Sequence, residues 1–259
     1  MWALDCESGL TEVDPASGDV VDVVDVGILP YDVAADGDDL WVADFGAPAV
    51  HRLVVGDTGP EVTGAVTTAD DQTEVVAGPE GVWASDGIGT VSEIDPATSA
   101  VTDSFDLNSP QSLELGGSFL WVLEFGGVLH KIDPATNEVL VSAQVSGGSG
   151  EVESGFGALW VTDKSSGTLL RVDPESLEVT DQLVVADPQP LELALGVGAG
   201  GVWVSDPEEG VLHLVDPESV ELLASVGVGR NPSHVTAGDD SVWVTVGAPP
   251  SLVRVDRIG

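Results

Sequence analysis

Four carboxylates recur at one step of a repeating sentence. Asp32, Glu74, Glu151 and Glu192 each open a short apolar run, followed at once by Val33, Val75, Val152 and Leu193. The same step is filled by Ser112 in one further repeat and by His234 in another, and two residues on lie Glu114 and Glu153. A carboxylate left uncompensated between packed surfaces costs several kcal/mol, so these groups must face water, a cation or a bound cationic group. Like charges held close repel, and a cation relieves that repulsion. An all-oxygen donor set favours Ca²⁺ or Mg²⁺. The expectation is that Asp32, Glu74, Glu151 and Glu192 can hold such an ion, with Ser112, Glu114 and Glu153 as ligand contacts. His234 is then the candidate acid or base of a metal-assisted lyase or hydrolase. The competing expectation is a solvated acidic surface with no catalysis.

Other patterns point to structure. Asp5, Asp44, Asp86, Glu124, Asp163 and Asp206 each lie three residues after a Trp, with Val246 in the last repeat. Acids there end one strand and open a turn, which short polar side chains cap. His51, His130 and His213 fall on a later strand of their repeats and form no ligand cluster. Ser112 has no His at an equivalent position, so a Ser-His-Asp reading has no support. The run Gly196–Gly201 precedes a strand and not a helix, which excludes a phosphate-binding loop.

These residues are positioned by a repeat. Trp occurs at 2, 41, 83, 121, 160, 203 and 243, with gaps of 39, 42, 38, 39, 43 and 40 residues. A period near 40 with short Val-rich runs is the signature of a β-propeller blade. Each full repeat reads as four strands, A to D from the axis outward. Strand B carries the Trp, strand C leads into Asp-Pro, and strand A opens with the carboxylate position. Three strands, five times four and three again make 26, which gives seven blades with incomplete first and last members. A six-bladed ring closed by Ser233–Ala237 is the alternative. The start of an innermost strand lies at the mouth of the central channel, so the acidic step is expected there. The chain reads as one propeller domain, 1–259, and its start in mid-repeat suggests a piece of a longer protein.

Asp14-Pro15, Asp95-Pro96, Asp133-Pro134, Asp173-Pro174 and Asp216-Pro217 each have Ser or Thr close behind. The Asp side chain bonds amides ahead of it and Pro presets its own φ, so these are turns. The second repeat has Leu53-Val54-Val55-Gly56 instead, and its outer hairpin is expected to differ.

Composition excludes several classes. The chain has 259 residues, 45 acids against seven bases and a formal net charge of −38. Unassisted binding to nucleic-acid phosphate or to an anionic membrane is ruled out by charge. A dense carboxylate surface also suits high salt, as in halophilic adaptation. Cys6 is the one cysteine, so neither an internal disulfide nor a multi-cysteine zinc site is available. No run of about 18 apolar residues occurs, so no transmembrane segment is expected. Asp5 and Glu7 close behind Met1 argue against a signal peptide.

The repeat P-x-x-V…G-x-x-W-V-x-D…G-x-V-x-x-I/V-D-P-A/E-T/S-x-x-V resembles YVTN-type propeller repeats and those of the virginiamycin B lyase-like family, over almost the whole chain. The resemblance implies a seven-bladed propeller and, in many members, an extracytoplasmic or secreted setting. For the lyase it also implies a divalent metal with His and Glu near the central channel. No His-x-Glu arrangement maps onto this chain. The expected function is a non-enzymatic binding, scaffold or sensor domain, monomeric, taking a protein or small molecule at one propeller face. A metal-dependent lyase or hydrolase is the alternative.

Overall fold

The computed structural model describes residues 1–5, 9–57, 59–188, 190 and 192–258. Cys6 and Glu7 lie outside the described residues. Among the described residues there are 26 strands and no helix. The strands form seven antiparallel sheets, five of four strands and two of three. This is the strand count expected from the repeat.

The first sheet is β1 (Trp2–Asp5), β2 (Gly9–Val13) and β3 (Val20–Val24). The second is β4 (Pro30–Asp36), β5 (Asp39–Asp44), β6 (Ala49–Gly56) and β7 (Gly59–Thr67). The third is β8 (Glu74–Gly78), β9 (Gly81–Ser85), β10 (Thr90–Asp95) and β11 (Ala100–Asp106). The fourth is β12 (Pro110–Gly116), β13 (Phe119–Glu124), β14 (Val128–Asp133) and β15 (Glu138–Gln144). The fifth is β16 (Val152–Gly155), β17 (Ala158–Asp163), β18 (Thr168–Val172) and β19 (Val179–Val184). The sixth is β20 (Leu195–Gly198), β21 (Gly201–Asp206), β22 (Val211–Val215) and β23 (Leu222–Gly227). The seventh is β24 (Arg230–Ala237), β25 (Ser241–Ala248) and β26 (Pro250–Asp256). Every sheet is a meander of sequence neighbours.

Cα packing separates the chain into two units. One comprises Met1–Leu120 with Ile132–Glu138, the other Trp121–Lys131 with Val139–Gly259. In the first, the inner strands β4, β8 and β12 pack in succession and the Trp strand β1 packs against β4; in the second, the inner strands β16, β20 and β24 pack in succession. Burial follows strand position. The Trp strands β17 and β21 are buried along their whole length, while the outer strands β11 and β15 are almost wholly exposed.

Trp41, Trp83, Trp121, Trp160 and Trp203 are fully buried. Each indole removes roughly 150–250 Å² from water, worth about 4–6 kcal/mol before entropy is counted. Trp160 packs with Leu195 and Val202 of the sixth sheet, Trp41 with Val75 and Val82 of the third and Trp203 with Val235 and Val242 of the seventh, so these Trp residues join their sheets to the next. The scarce bases serve the same residues. The Arg52 guanidinium lies 5.5 Å from the Trp41 ring, Lys131 Nζ 5.4 Å from Trp121 and Arg254 5.9 Å from Trp243. Arg171 is the cross-strand partner of Trp160. Four of the seven bases therefore stand opposite a Trp, where a cation over an indole contributes about 0.5–2 kcal/mol.

The Asp-Pro turns behave as expected. Asp14, Asp95, Asp133, Asp173 and Asp216 each accept the N–H two residues ahead, at 2.7–2.9 Å. The residue four places after each Asp is left-handed: Gly18, Ser99, Asn137, Leu177 and Val220, with φ between 51° and 75°. Such a φ is strained for Leu and above all for Val. Burial of Leu177 and Val220 offsets that strain. Asn137 uses the same geometry to reach back to the third sheet. Its Oδ1 accepts the Trp83 indole N–H at 3.0 Å, while its Nδ2 donates to Glu93 at 2.6 Å. The second sheet lacks Asp-Pro, and long β6 and β7 meet instead across Gly56 and Gly59.

Candidate functional site

The register of the inner strands fixes which residues are equivalent. Ala34, Val76, Glu153, Gly196 and Thr236 lie directly across from Trp41, Trp83, Trp160, Trp203 and Trp243. Two residues earlier stand Asp32, Glu74, Glu151, Ala194 and His234. The expectation that Glu192 shares this position is corrected: the equivalent in the sixth sheet is Ala194, which is buried. The connection into the sixth sheet carries three extra residues, 21 from Asp173 to Ala194 against 18 from Asp133 to Glu151, and the alternation of Leu191, Glu192 and Leu193 imitates the start of the strand. Glu192 instead pairs with Lys164 Nζ at 2.5 Å. In the fourth sheet the position holds Ser112, which is buried, with Glu114 half-buried on the same strand β12.

What the inner carboxylates do is visible in their hydrogen bonds. Asp32 Oδ2 accepts the N–H of Val75 at 2.8 Å, so β4 is tied to β8. Glu151 Oε2 accepts the N–H of Leu195 at 2.8 Å, and Glu153 Oε2 accepts that of Val197 at 2.8 Å, so the fifth sheet is tied to β20. The donors are in matching places: Val75 follows Glu74, and Leu195 follows Ala194. An inner strand is the edge of its sheet, and every second N–H points away from the Trp strand with no ladder partner. A buried N–H without an acceptor costs about 1–3 kcal/mol. The acidic step of the repeat supplies that acceptor from the preceding sheet. Asp32 Oδ1 also accepts the Val33 N–H at 2.8 Å, so both of its oxygens are engaged.

His234 stands at the same step on β24, beside a register shift between Pro232 and His234. Its backbone N–H donates to Thr245 Oγ1 at 3.1 Å. Among the described residues, no three His, Cys, Asp or Glu side chains converge where one metal ion could be held.

The acids three residues after each Trp form the second set. Asp44 is fully buried and accepts from the N–H groups of Ile28, Leu29 and Gly46 at 2.8–2.9 Å, with His51 Nε2 at 3.1 Å. Burial pushes its carboxyl up, but these donors outweigh burial and hold it below its ordinary value. Asp86 is held low in the same way by the N–H groups of Gly89, Thr90 and Ile88. Asp163 owes its lowering to the Ser165 hydroxyl, the N–H groups of Gly147 and Ser165, and the Ser166 hydroxyl. Asp206 caps Glu208 and Glu209.

The histidines of the third strands belong to this set. His130 Nε2 lies 3.1 Å from Glu124 Oε1, and its Nδ1 lies 2.7 Å from Ser142 Oγ. His213 Nδ1 lies 2.8 Å from Ser225 Oγ; burial pushes this ring's pKa down, against the pull of Asp206 and Glu209. The His–Ser pair recurs in the fourth and sixth sheets and links neighbouring strands of one sheet. Sequence reasoning missed these partners. The signal was an acid six or seven residues before each His, and a Ser twelve after His130 and His213. A shallow cavity of about 300 Å³ lies among Pro207, Glu208, Arg230 and Asn231.

No protein-family model matches the chain, and no curated protein matches its sequence. Solved structures do. The β-propeller domain of Myceliophteria thermophila Cps50 (Swd1) aligns over all of this chain and 96% of its own, with a TM-score of 0.80 at 13% identity. The chain is a seven-bladed β-propeller. Kuenenia stuttgartiensis hydrazine synthase aligns over 95% of this chain and 89% of its own, with a TM-score of 0.74 and 13% identity. The Neurospora crassa Pan2 WD40 domain aligns over 84% and 72%, with a TM-score of 0.67 and 11% identity. At these identities the likeness is one of fold, which does not by itself assign a function.

Proposed function

We propose that this propeller is a non-enzymatic binding domain that takes a cationic ligand at the neighbouring carboxylates Glu151 and Glu153. One observation carries the reading: Glu151 and Glu153 remain partly exposed while the N–H groups of Leu195 and Val197 on the next inner strand fix their position. Anions held in place need no reorganisation when a cation arrives, which favours binding over a mobile acidic surface. The ligand class is a polyamine or a basic side chain. Two carboxylates that each accept a backbone N–H do not make a closed Ca²⁺ or Mg²⁺ cage, which takes about six oxygen ligands or more. The YVTN-type or virginiamycin B lyase-like assignment, and the extracytoplasmic setting that goes with it, rest on the wording of the repeat.

Calorimetric titration with spermidine, Ca²⁺ and Mg²⁺ separates the readings. The proposal expects spermidine to bind, and the double variant Glu151→Gln, Glu153→Gln to weaken it about tenfold, near 1.4 kcal/mol. Gln keeps an oxygen for the N–H groups of Leu195 and Val197, so the fold is retained. Equal binding by the variant would remove this site from the function. Tight Ca²⁺ binding lost in the same variant would restore the metal reading.

A further inference from the structure

A separate feature of the second sheet looks outward. Ile28 is 74% exposed, the most exposed large apolar side chain among the described residues. Tyr31 and Phe45 are exposed beside it, with ring centroids 5.7 Å apart. Ile28 lies over Gly46: a Cβ there would come within 2.8 Å of its Cγ2, so glycine makes the room that seats the side chain. Ile28 thus sits over the residue next to Phe45, and Phe45 in turn meets Tyr31, which places three exposed apolar side chains in one neighbourhood.

The patch is built, not loose. The buried Asp44 carboxylate holds the N–H groups of Ile28, Leu29 and Gly46, and the Phe45 N–H donates to the Leu29 carbonyl at 2.9 Å. Both segments that carry the patch are therefore clamped to one anion. A rigid apolar surface loses little freedom when a partner covers it, the property that marks interface hot spots. Its surroundings are acidic. Asp25 is exposed in the segment leading to Ile28. On the other flank, the Gln72 N–H donates to the Asp44 carbonyl at 3.0 Å and the Thr68 N–H to that of Pro48 at 2.9 Å, which brings exposed Asp70 and half-buried Asp71 against the same turn. No Lys or Arg occurs in residues 25–32, 44–48 or 68–72.

We propose that the Ile28, Tyr31 and Phe45 patch docks an extended basic segment of a partner protein. One aromatic or aliphatic side chain of that segment covers the patch, and flanking Lys or Arg residues face Asp25, Asp70 and Asp71. Charge complementarity selects this occupant: an apolar centre with an acidic rim attracts basic chains and repels further copies of this one. The inference deepens the reading of the propeller as a binding domain, but it uses a site separate from the inner-strand carboxylates.

The test uses two labelled peptides, Gly-Lys-Arg-Trp-Arg-Lys-Gly and the same peptide with Ala in place of Trp, read by fluorescence anisotropy at about physiological ionic strength. The Trp peptide is expected to bind about tenfold tighter. Ile28→Ser and Phe45→Ala should abolish that difference, whereas Phe156→Ala, an exposed Phe of the other packing unit, should preserve it. Circular dichroism checks that the variants are folded. Equal binding of the two peptides, or retention of the difference in Phe45→Ala, overturns the proposal and leaves only attraction to a polyanion. Glu151→Gln with Glu153→Gln should leave the Trp preference intact, so failure here and failure of the inner-strand reading are distinguishable.

Discussion

Asp44 and Glu151 are both repeat carboxylates that accept backbone N–H groups, yet they act differently. Asp44, at the end of a Trp strand, gathers three N–H groups and a His ring, and is fully buried. Glu151, at the start of an inner strand, reaches across to Leu195 of the next sheet and stays partly exposed. The difference is where the orphan donors lie. Turn donors converge on one buried point, whereas the free edge of an inner strand offers single donors in a row. The first arrangement holds a loop; the second joins sheets and leaves negative charge at the surface.

The comparison predicts unequal costs. Asp44→Ala strands three N–H groups and should destabilise by about 3–5 kcal/mol, read as a lower urea midpoint. Asn137→Ala should cost about 1–3 kcal/mol and alter Trp fluorescence, because the Trp83 indole loses its acceptor. Glu151→Ala should cost less, about 0.5–1.5 kcal/mol, and accelerate amide exchange at Leu195. An Asp44→Ala cost no larger than that of Glu151→Ala would erase the distinction.

Acid sharpens it further. Asp44, Asp86 and Asp163 have carboxyls held below the ordinary 3.8 in the folded chain. Their contribution is complete above that value and is lost as pH falls through their lower folded values. Neutralising the many exposed acids acts oppositely, by relieving self-repulsion. Thermal unfolding should therefore hold or improve as pH falls towards 4, then decline steeply below it. The decline should be shallower in Asp86→Asn, where one of the depressed groups is gone.

The Trp period and the Asp-Pro turns made strand number and sheet number legible, because both depend on local spacing. Glu192 shows where that reading stops. Leu191, Glu192 and Leu193 alternate like a strand, and only a count of nine residues back from Trp203 reveals Ala194 as the true equivalent. The bases opposite Trp41, Trp121, Trp160 and Trp243 were legible too, ten or eleven residues on, but cross-strand register had to be considered. The bonds from Asp32 to Val75 and from Glu151 to Leu195 were not legible, since they depend on how neighbouring inner strands align in height.

The most direct measurement is spermidine calorimetry on two charge-matched double variants. One is Glu151→Gln, Glu153→Gln; the other is Asp95→Asn, Asp173→Asn at exposed turns. Each removes two negative charges. The account predicts about tenfold weaker binding in the first and nearly unchanged binding in the second. Equal weakening in both would show that spermidine senses only total charge, and would contradict the assignment of the inner-strand carboxylates as the binding site.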